Sequence, residues 1–104
     1  LLRARGVQRR LEPLVKYFSL ADTETGKIAP SRIDKGVQTK EIIITVPIGE
    51  DASSLTLSDG SRSYVIHCDV GLNVFCIPLL FKPNAEVTLT AAGVMTVFVE
   101  TFDS

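Results

Sequence analysis

Length, composition and charge narrow the class of protein before any motif is considered. The chain has 104 residues, 45% of them hydrophobic, and a formal net charge of −1 at pH 7. This length suits one domain, and so large a hydrophobic fraction excludes an intrinsically disordered chain. The longest apolar runs are about eight residues, well short of the roughly 18 to 20 that a membrane-spanning helix needs. We therefore expect no transmembrane segment.

The charge is distributed unevenly along the chain. Residues 1–20 carry five basic side chains and one acidic, whereas residues 21–104 carry six basic and eleven acidic. A basic arm on an acidic body indicates contact with an anionic partner, and a solvated helix face explains it equally well. Such an arm predicts non-specific contact with nucleic acid phosphates rather than base readout. The predicted polyanion-contacting residues are Arg3, Arg5, Arg9, Arg10 and Lys16.

The N-terminal region has the spacing of an amphipathic helix. Apolar residues recur at intervals of 3, 4 and 7 through GVQRRLEPLVKYFSL, which predicts one buried helical stripe. Pro13 lies inside this pattern and predicts a kink or a new helix start. Residues 21–36 then read as an irregular, extended connection. We assign residues 1–36 to a basic amphipathic helix with a connecting arm, and residues 37–104 to a β-sandwich domain.

From residue 37 the hydrophobic period changes to two, which is typical of strands. Turn-forming residues separate the segments, and Asp59-Gly60 is a strong hairpin signal. The pattern predicts a mainly β fold, a small antiparallel β-sandwich or barrel of about six strands. The predicted strands are 39–46, 54–58, 63–70, 73–80, 86–91 and 94–101.

Two of these strands are apolar on both faces. In IIITVPI, Ile42 and Ile44 point one way and Ile43 the other, and VFCIPLLF is apolar on both sides throughout. Because a sandwich strand normally buries one face, the second face predicts a homo-oligomer or a larger assembly. An ordinary core with a different strand phase is the alternative. The predicted interface residues are Val7, Leu11, Leu14, Phe18, Ile43, Phe75, Ile77, Leu79 and Phe81.

The stretch VIHCDVGLNVFC holds the single histidine and both cysteines. The eight-residue separation of Cys68 and Cys76 does not match paired zinc-ligand spacing, and no catalytic elbow accompanies His67. A hairpin centred on Leu72 would place Cys68 opposite Cys76, as a disulfide or as packed thiols, and we favour reduced thiols. We predict no catalytic site, metal site or cofactor; an enzyme using His67 with Asp69 is the weakest hypothesis.

The function that these features favour is a non-enzymatic structural or interaction module that assembles through apolar strand faces. A basic arm, a long connector and a compact β-body suit a coat, shell or tail component of a virus-like particle, by fold-level analogy. The alternative is a soluble ligand- or receptor-binding β-module that acts through loops 49–54, 58–63 and 82–85. A virion or cytoplasmic location is favoured over secretion, because no signal peptide is recognisable.

Overall fold

The structure, a computed structural model, describes residues 14–51 and 54–104. The described residues form eight β-strands and no helix, so the expectation of a mainly β fold is confirmed, with eight strands rather than six. The strands are β1 (Leu14–Leu20), β2 (Thr25–Ile28), β3 (Val37–Val46), β4 (Ser54–Ser58), β5 (Ser63–His67), β6 (Gly71–Phe75), β7 (Val87–Ala92) and β8 (Met95–Asp103).

The strands form two four-stranded sheets. The first sheet has the order β1-β8-β3-β6 and the second has the order β2-β7-β4-β5, and every named strand pair is antiparallel. Successive strands alternate between the sheets at every connection except β4–β5, which is a hairpin within the second sheet; β7 and β8 lie in different sheets although a tight turn joins them. Eight strands in these two sheets have the arrangement of a jelly roll, a sandwich built from two Greek keys.

The core lies between the sheets and follows the strand alternation. In β3, Ile42 and Ile44 are fully buried, while Ile43 between them is half-buried on the opposite face. In β8, Val97 and Val99 are buried and Phe98 is exposed. Leu55, Leu57, Val87 and Leu89 complete the centre from the second sheet.

The predicted helix is wrong where the structure describes it. Residues 14–20 form β1, paired with β8 from Leu14↔Thr101 to Leu20↔Met95. The stretch contains Val15, Tyr17 and Phe18, β-branched and aromatic residues that favour strands, and pairing along β8 satisfies its backbone. A helix of this length would have had only packing to stabilise it. The earlier part of the predicted helix, with Val7 and Leu11, lies outside the described residues.

The predicted connecting arm also contributes to the sandwich. Residues 25–28 form β2, an edge strand of the second sheet that pairs with β7. Gly26 allows this strand to approach β1 closely, because a Cβ atom there would lie 2.4 Å from the Phe18 ring. Residues 14–28 therefore supply one edge strand to each sheet.

The predicted strand 73–80 is only partly correct. β6 ends at Phe75, and Leu79 N–H donates to the Ile77 carbonyl at 3.1 Å, a local turn that interrupts the strand. Opposite this turn, β3 shifts register between Thr39 and Glu41, so that Lys40 is the extra residue of a bulge. The chain continues along β3 through the Gln38↔Leu80 bridge. None of the described residues belongs to a helix with the length and hydropathy needed to cross a membrane.

Candidate assembly surface

The outward side of the first sheet carries a row of apolar side chains that crosses all four strands. Tyr17 of β1 is in register with Phe98 of β8, Phe98 with Ile43 of β3, and Ile43 with Val74 of β6. Residues in register across antiparallel strands point to the same face, so the four side chains lie side by side. Alternation places them on the side of the sheet that faces away from the core.

This row is open to solvent. Tyr17 is 60% exposed, Phe98 44% and Val74 52%. The rings of Tyr17 and Phe98 stack edge to face, with their centroids 5.9 Å apart. On the neighbouring rows, Val15 is 51% and Leu72 70% exposed. We call this surface the outer apolar face; it consists of Val15, Tyr17, Ile43, Leu72, Val74 and Phe98.

The outward side of the second sheet has a different chemistry. Its central row runs through Thr25, Thr90 and Thr56 to Val65, each in register with the next. The neighbouring rows are mainly serine and threonine hydroxyls, with Lys27 and His67 at the edges. Among the described residues, Val65 is the one large exposed hydrophobic side chain on this side. Hydroxyl groups form hydrogen bonds with water, so the second sheet has the ordinary surface of a solvated sandwich.

An acidic pair borders the outer apolar face. Glu41 of β3 is in register with Glu100 of β8, and like charges directly opposite each other are destabilising. The nearby cation Lys40 lies over the Phe102 ring, 5.7 Å from its centroid. Within the described part of the chain, neither glutamate forms an ion pair. A positive charge placed at this border would reduce the repulsion between the two carboxylates.

The predicted interface residues fall in three places. Leu79 and Phe81 are buried in the core, and Phe75 and Ile77 pack against it, as does Phe18. Leu14 is exposed at the start of β1, and Ile43 lies within the outer apolar face. The alternation predicted for residues 74–81 is present. The face of Phe75, Ile77, Leu79 and Phe81, which we expected to lie at an interface, instead points to the core. The predicted arm residue Lys16 is exposed on β1. The remaining predicted residues lie outside the described part: Val7 and Leu11 of the interface set, and Arg3, Arg5, Arg9 and Arg10 of the arm set.

Five residues of the outer apolar face were absent from the predicted interface: Val15, Tyr17, Leu72, Val74 and Phe98. Because we predicted a helix for the residues of β1, we did not recognise that Val15 and Tyr17 alternate as in a strand. In β8, the run Val97-Phe98-Val99 is apolar on both faces, as in β3, and this signal was sufficient to indicate Phe98.

The hairpin expected between the two cysteines does not form. β5 and β6 belong to different sheets, and β6 pairs with β3 instead. Both thiols are free: Cys68 is buried and Cys76 is exposed. Burial raises the pKa of the Cys68 thiol, and the Cys76 Sγ donates to Glu41 Oε2 at 3.7 Å. The hairpin between the two cysteines does not form because residues 68–70 cross from one sheet to the other.

These positions predict different reactivities for the two thiols. We expect Ellman's reagent to react with one thiol per folded chain, Cys76, and with a second only after denaturation, because a buried and protonated thiol is a poor nucleophile. A Cys76→Ser variant should then show no reactive thiol until it unfolds. Two slowly reacting thiols in the folded wild type, or no reactive thiol in the absence of reductant, would contradict the arrangement.

Two of the three loops proposed for ligand binding lie together, and the third lies at the opposite end of β4. Loops 58–63 and 82–85 meet at one end of β4, where Lys82 N–H donates to Asp59 Oδ2 at 2.8 Å. The loop that begins at Gly49 lies beyond the other end of β4. There Asp22, Gly49–Asp51 and residues 92–94 line an open depression of about 410 Å³. The described residues contain no group of three or more His, Cys, Asp or Glu side chains placed to hold a metal ion.

His67 ends β5 and is exposed, while Cys76 follows β6 at the edge of the other sheet. His67 and Cys76 therefore belong to different sheets, and Asp69 lies in the connection between β5 and β6. No protein-family model matches the chain, and no curated protein shows significant similarity to it.

Proposed function

We propose that this protein is a non-enzymatic assembly module whose copies associate through the outer apolar face of the first sheet. The observation that carries the proposal is the contrast between the two outward sides of one sandwich. One side presents a continuous aromatic and aliphatic row, and the equivalent row on the other side consists of three threonines and Val65. Contiguous exposed apolar patches mark interaction sites, whereas single exposed residues do not.

The composition of the face supports a protein partner. Tyrosine and phenylalanine are enriched at the centres of protein interfaces, and here Tyr17 of the edge strand β1 stacks on Phe98 of the neighbouring strand β8 within the outer apolar face. Ile43 and Val74 extend the same row to the opposite edge strand. The partner that follows most directly is another copy of the chain, since most soluble oligomers are homo-oligomers.

The fold adds a more specific possibility by analogy. Double-sheet jelly rolls occur in viral capsids, and they also occur in lectins and cupins. The topology alone therefore does not select a function. Combined with one apolar sheet face, it makes a shell or coat component of a virus-like particle our proposal for the biological role.

The test replaces the aromatic pair by the residue type that the second sheet uses. We expect Tyr17→Thr with Phe98→Thr to raise the dissociation constant of the assembly roughly 30-fold or more, because both aromatic side chains of the outer apolar face are removed. Threonine retains a high strand propensity, so the sandwich should still fold. Sedimentation velocity over a concentration series measures the change.

Val65→Thr is the matched control, since it makes a similar change on the outward side of the second sheet. It should leave the association unchanged. Wild-type protein that stays monomeric at about 100 μM, or a control as disruptive as the double variant, would refute the proposal.

A further inference from the structure

The acidic border of the outer apolar face indicates which part of the partner covers it. Glu41 and Glu100 face each other in register beside Val15, and the described part of the chain supplies neither with an ion pair. An occupant of this surface must therefore combine apolar side chains with positive charge. Residues 1–13 have that composition: four arginines and one glutamate, interspersed with Leu1, Leu2, Val7 and Leu11.

The segment joins the sandwich at a point from which it could reach the outer apolar face of an adjacent copy. β1 is an edge strand of the first sheet and begins at Leu14, one residue before the row of Val15 and Glu100. Thirteen residues span at most about 45 Å when extended, and a four-stranded sheet is roughly 15 Å across between its outer strands. The segment is thus long enough to cross the whole outer apolar face of an adjacent copy.

The area of the face also requires an additional contributor. Four strands and about six residues of strand length give a planar area of roughly 400 Å². A stable interface buries about 800 Å² on each partner. Contact between two sheet faces alone falls short of this value, whereas a contribution from the N-terminal segment on each side would extend it.

We propose that two copies of this chain exchange their N-terminal segments, residues 1–13, across their outer apolar faces, with arginine side chains bound to the Glu41–Glu100 pair. This inference rests on the proposed function and names the partner surface for it. The apolar residues of the segment pack against the Tyr17–Phe98 row, and its guanidinium groups neutralise the two opposed carboxylates. Charge-assisted arginine–carboxylate pairs are among the stronger polar contacts at interfaces.

The experiment is a charge-swap complementation with the full chain. One variant carries Arg9→Glu and Arg10→Glu, and the other carries Glu41→Arg and Glu100→Arg. Each variant alone opposes like charges, so we expect its association to weaken at least tenfold. In an equimolar mixture, the acidic segment of the first variant meets the basic face of the second. The basic segment of the second variant meets the acidic face of the first, as in the wild type. We expect the mixture to associate with an affinity within about threefold of the wild type.

Sedimentation velocity on the variants and the mixture, with circular dichroism to show that each folds, distinguishes the outcomes. Recovery in the mixture supports exchange between copies. Two variants that remain apart when mixed would overturn it, as would variants that associate as well as wild type. Loss of binding to a single-stranded oligonucleotide by the Arg9/Arg10 variant, with association intact, would overturn it in favour of a nucleic acid partner. The proposed function fails separately, if the wild type itself does not associate.

Discussion

Asp59→Asn is expected to lower the free energy of unfolding by about 2 kcal/mol at neutral pH. The Asp59 side chain is buried, with Oδ1 accepting the backbone N–H groups of Ser61 at 2.8 Å and Arg62 at 2.7 Å. Oδ2 accepts Lys82 N–H at 2.8 Å. An asparagine has only one carbonyl oxygen, so whichever way its amide points, at least one of these N–H groups loses its acceptor.

The same substitution should remove part of the acid sensitivity of the fold. Hydrogen bonds from the Arg62 and Lys82 backbone lower the pKa of Asp59 from 3.8 to about 2. Because the folded-state pKa lies below the unfolded value, the carboxylate stabilises the fold above about pH 4, and this contribution is lost as the pH falls towards 2. We expect the wild type to lose stability over this interval more steeply than Asp59→Asn.

Urea unfolding at a series of pH values measures both effects, and Asp22→Asn is the matched control. Asp22 is an exposed carboxylate in the β1–β2 turn, and its replacement should change stability by less than about 0.5 kcal/mol. Equal stability of Asp59→Asn and wild type at pH 7, or parallel acid profiles, would show that Asp59 does not anchor these loops.

Thr39→Val is expected to lower the free energy of unfolding by about 2 kcal/mol, although the two side chains have nearly the same shape. Thr39 is fully buried, and its hydroxyl donates to the Ile77 carbonyl at 2.6 Å and accepts Leu79 N–H at 2.9 Å. Valine would remove both of these bonds and leave the Ile77 carbonyl and Leu79 N–H only their 3.1 Å bond to each other. This pair of bonds holds the interrupted segment after β6 against β3.

Thr39→Ser separates the hydroxyl from the methyl group. Serine retains both hydrogen bonds and should cost only about 1 kcal/mol for the lost methyl. Urea denaturation of the three proteins gives the comparison. If valine is tolerated as well as serine, the hydroxyl is not what fixes this segment.

The alternation in residues 37–104 was sufficient to predict most of the strands, because buried and exposed positions differ clearly there. β4 was predicted with its observed bounds, and β3, β7 and β8 within about two residues. Where both faces are apolar, alternation gives two sets of residues without saying which is the core. Phe75, Ile77, Leu79 and Phe81 were assigned to the surface for this reason, and the structure buries or half-buries all four.

The remaining errors arose from pairings between residues far apart in the chain. Residues 14–18 satisfy a helical spacing as well as a strand alternation, and only the edge of β8, some 80 residues later, selects the strand. Cys68 and Cys76 are close in sequence, yet β5 and β6 pair with β4 and β3 in separate sheets. The outer apolar face has the same origin, since its central row combines one residue from each of four distant strands.

The hydroxyl surface of the second sheet has a consequence for the size of any assembly. If copies associate as we propose, through a single face with exchanged segments, the contact is reciprocal, so a pair satisfies both faces and leaves none open for a third. The serine and threonine rows then cover both outer sides of the pair, where water competes for every hydroxyl group. Growth into stacked fibres would require a second apolar side, which the threonine row of β2, β7 and β4 does not provide. The pair that we propose would therefore be closed, and a larger shell would have to be built through the strand edges and loops of such pairs.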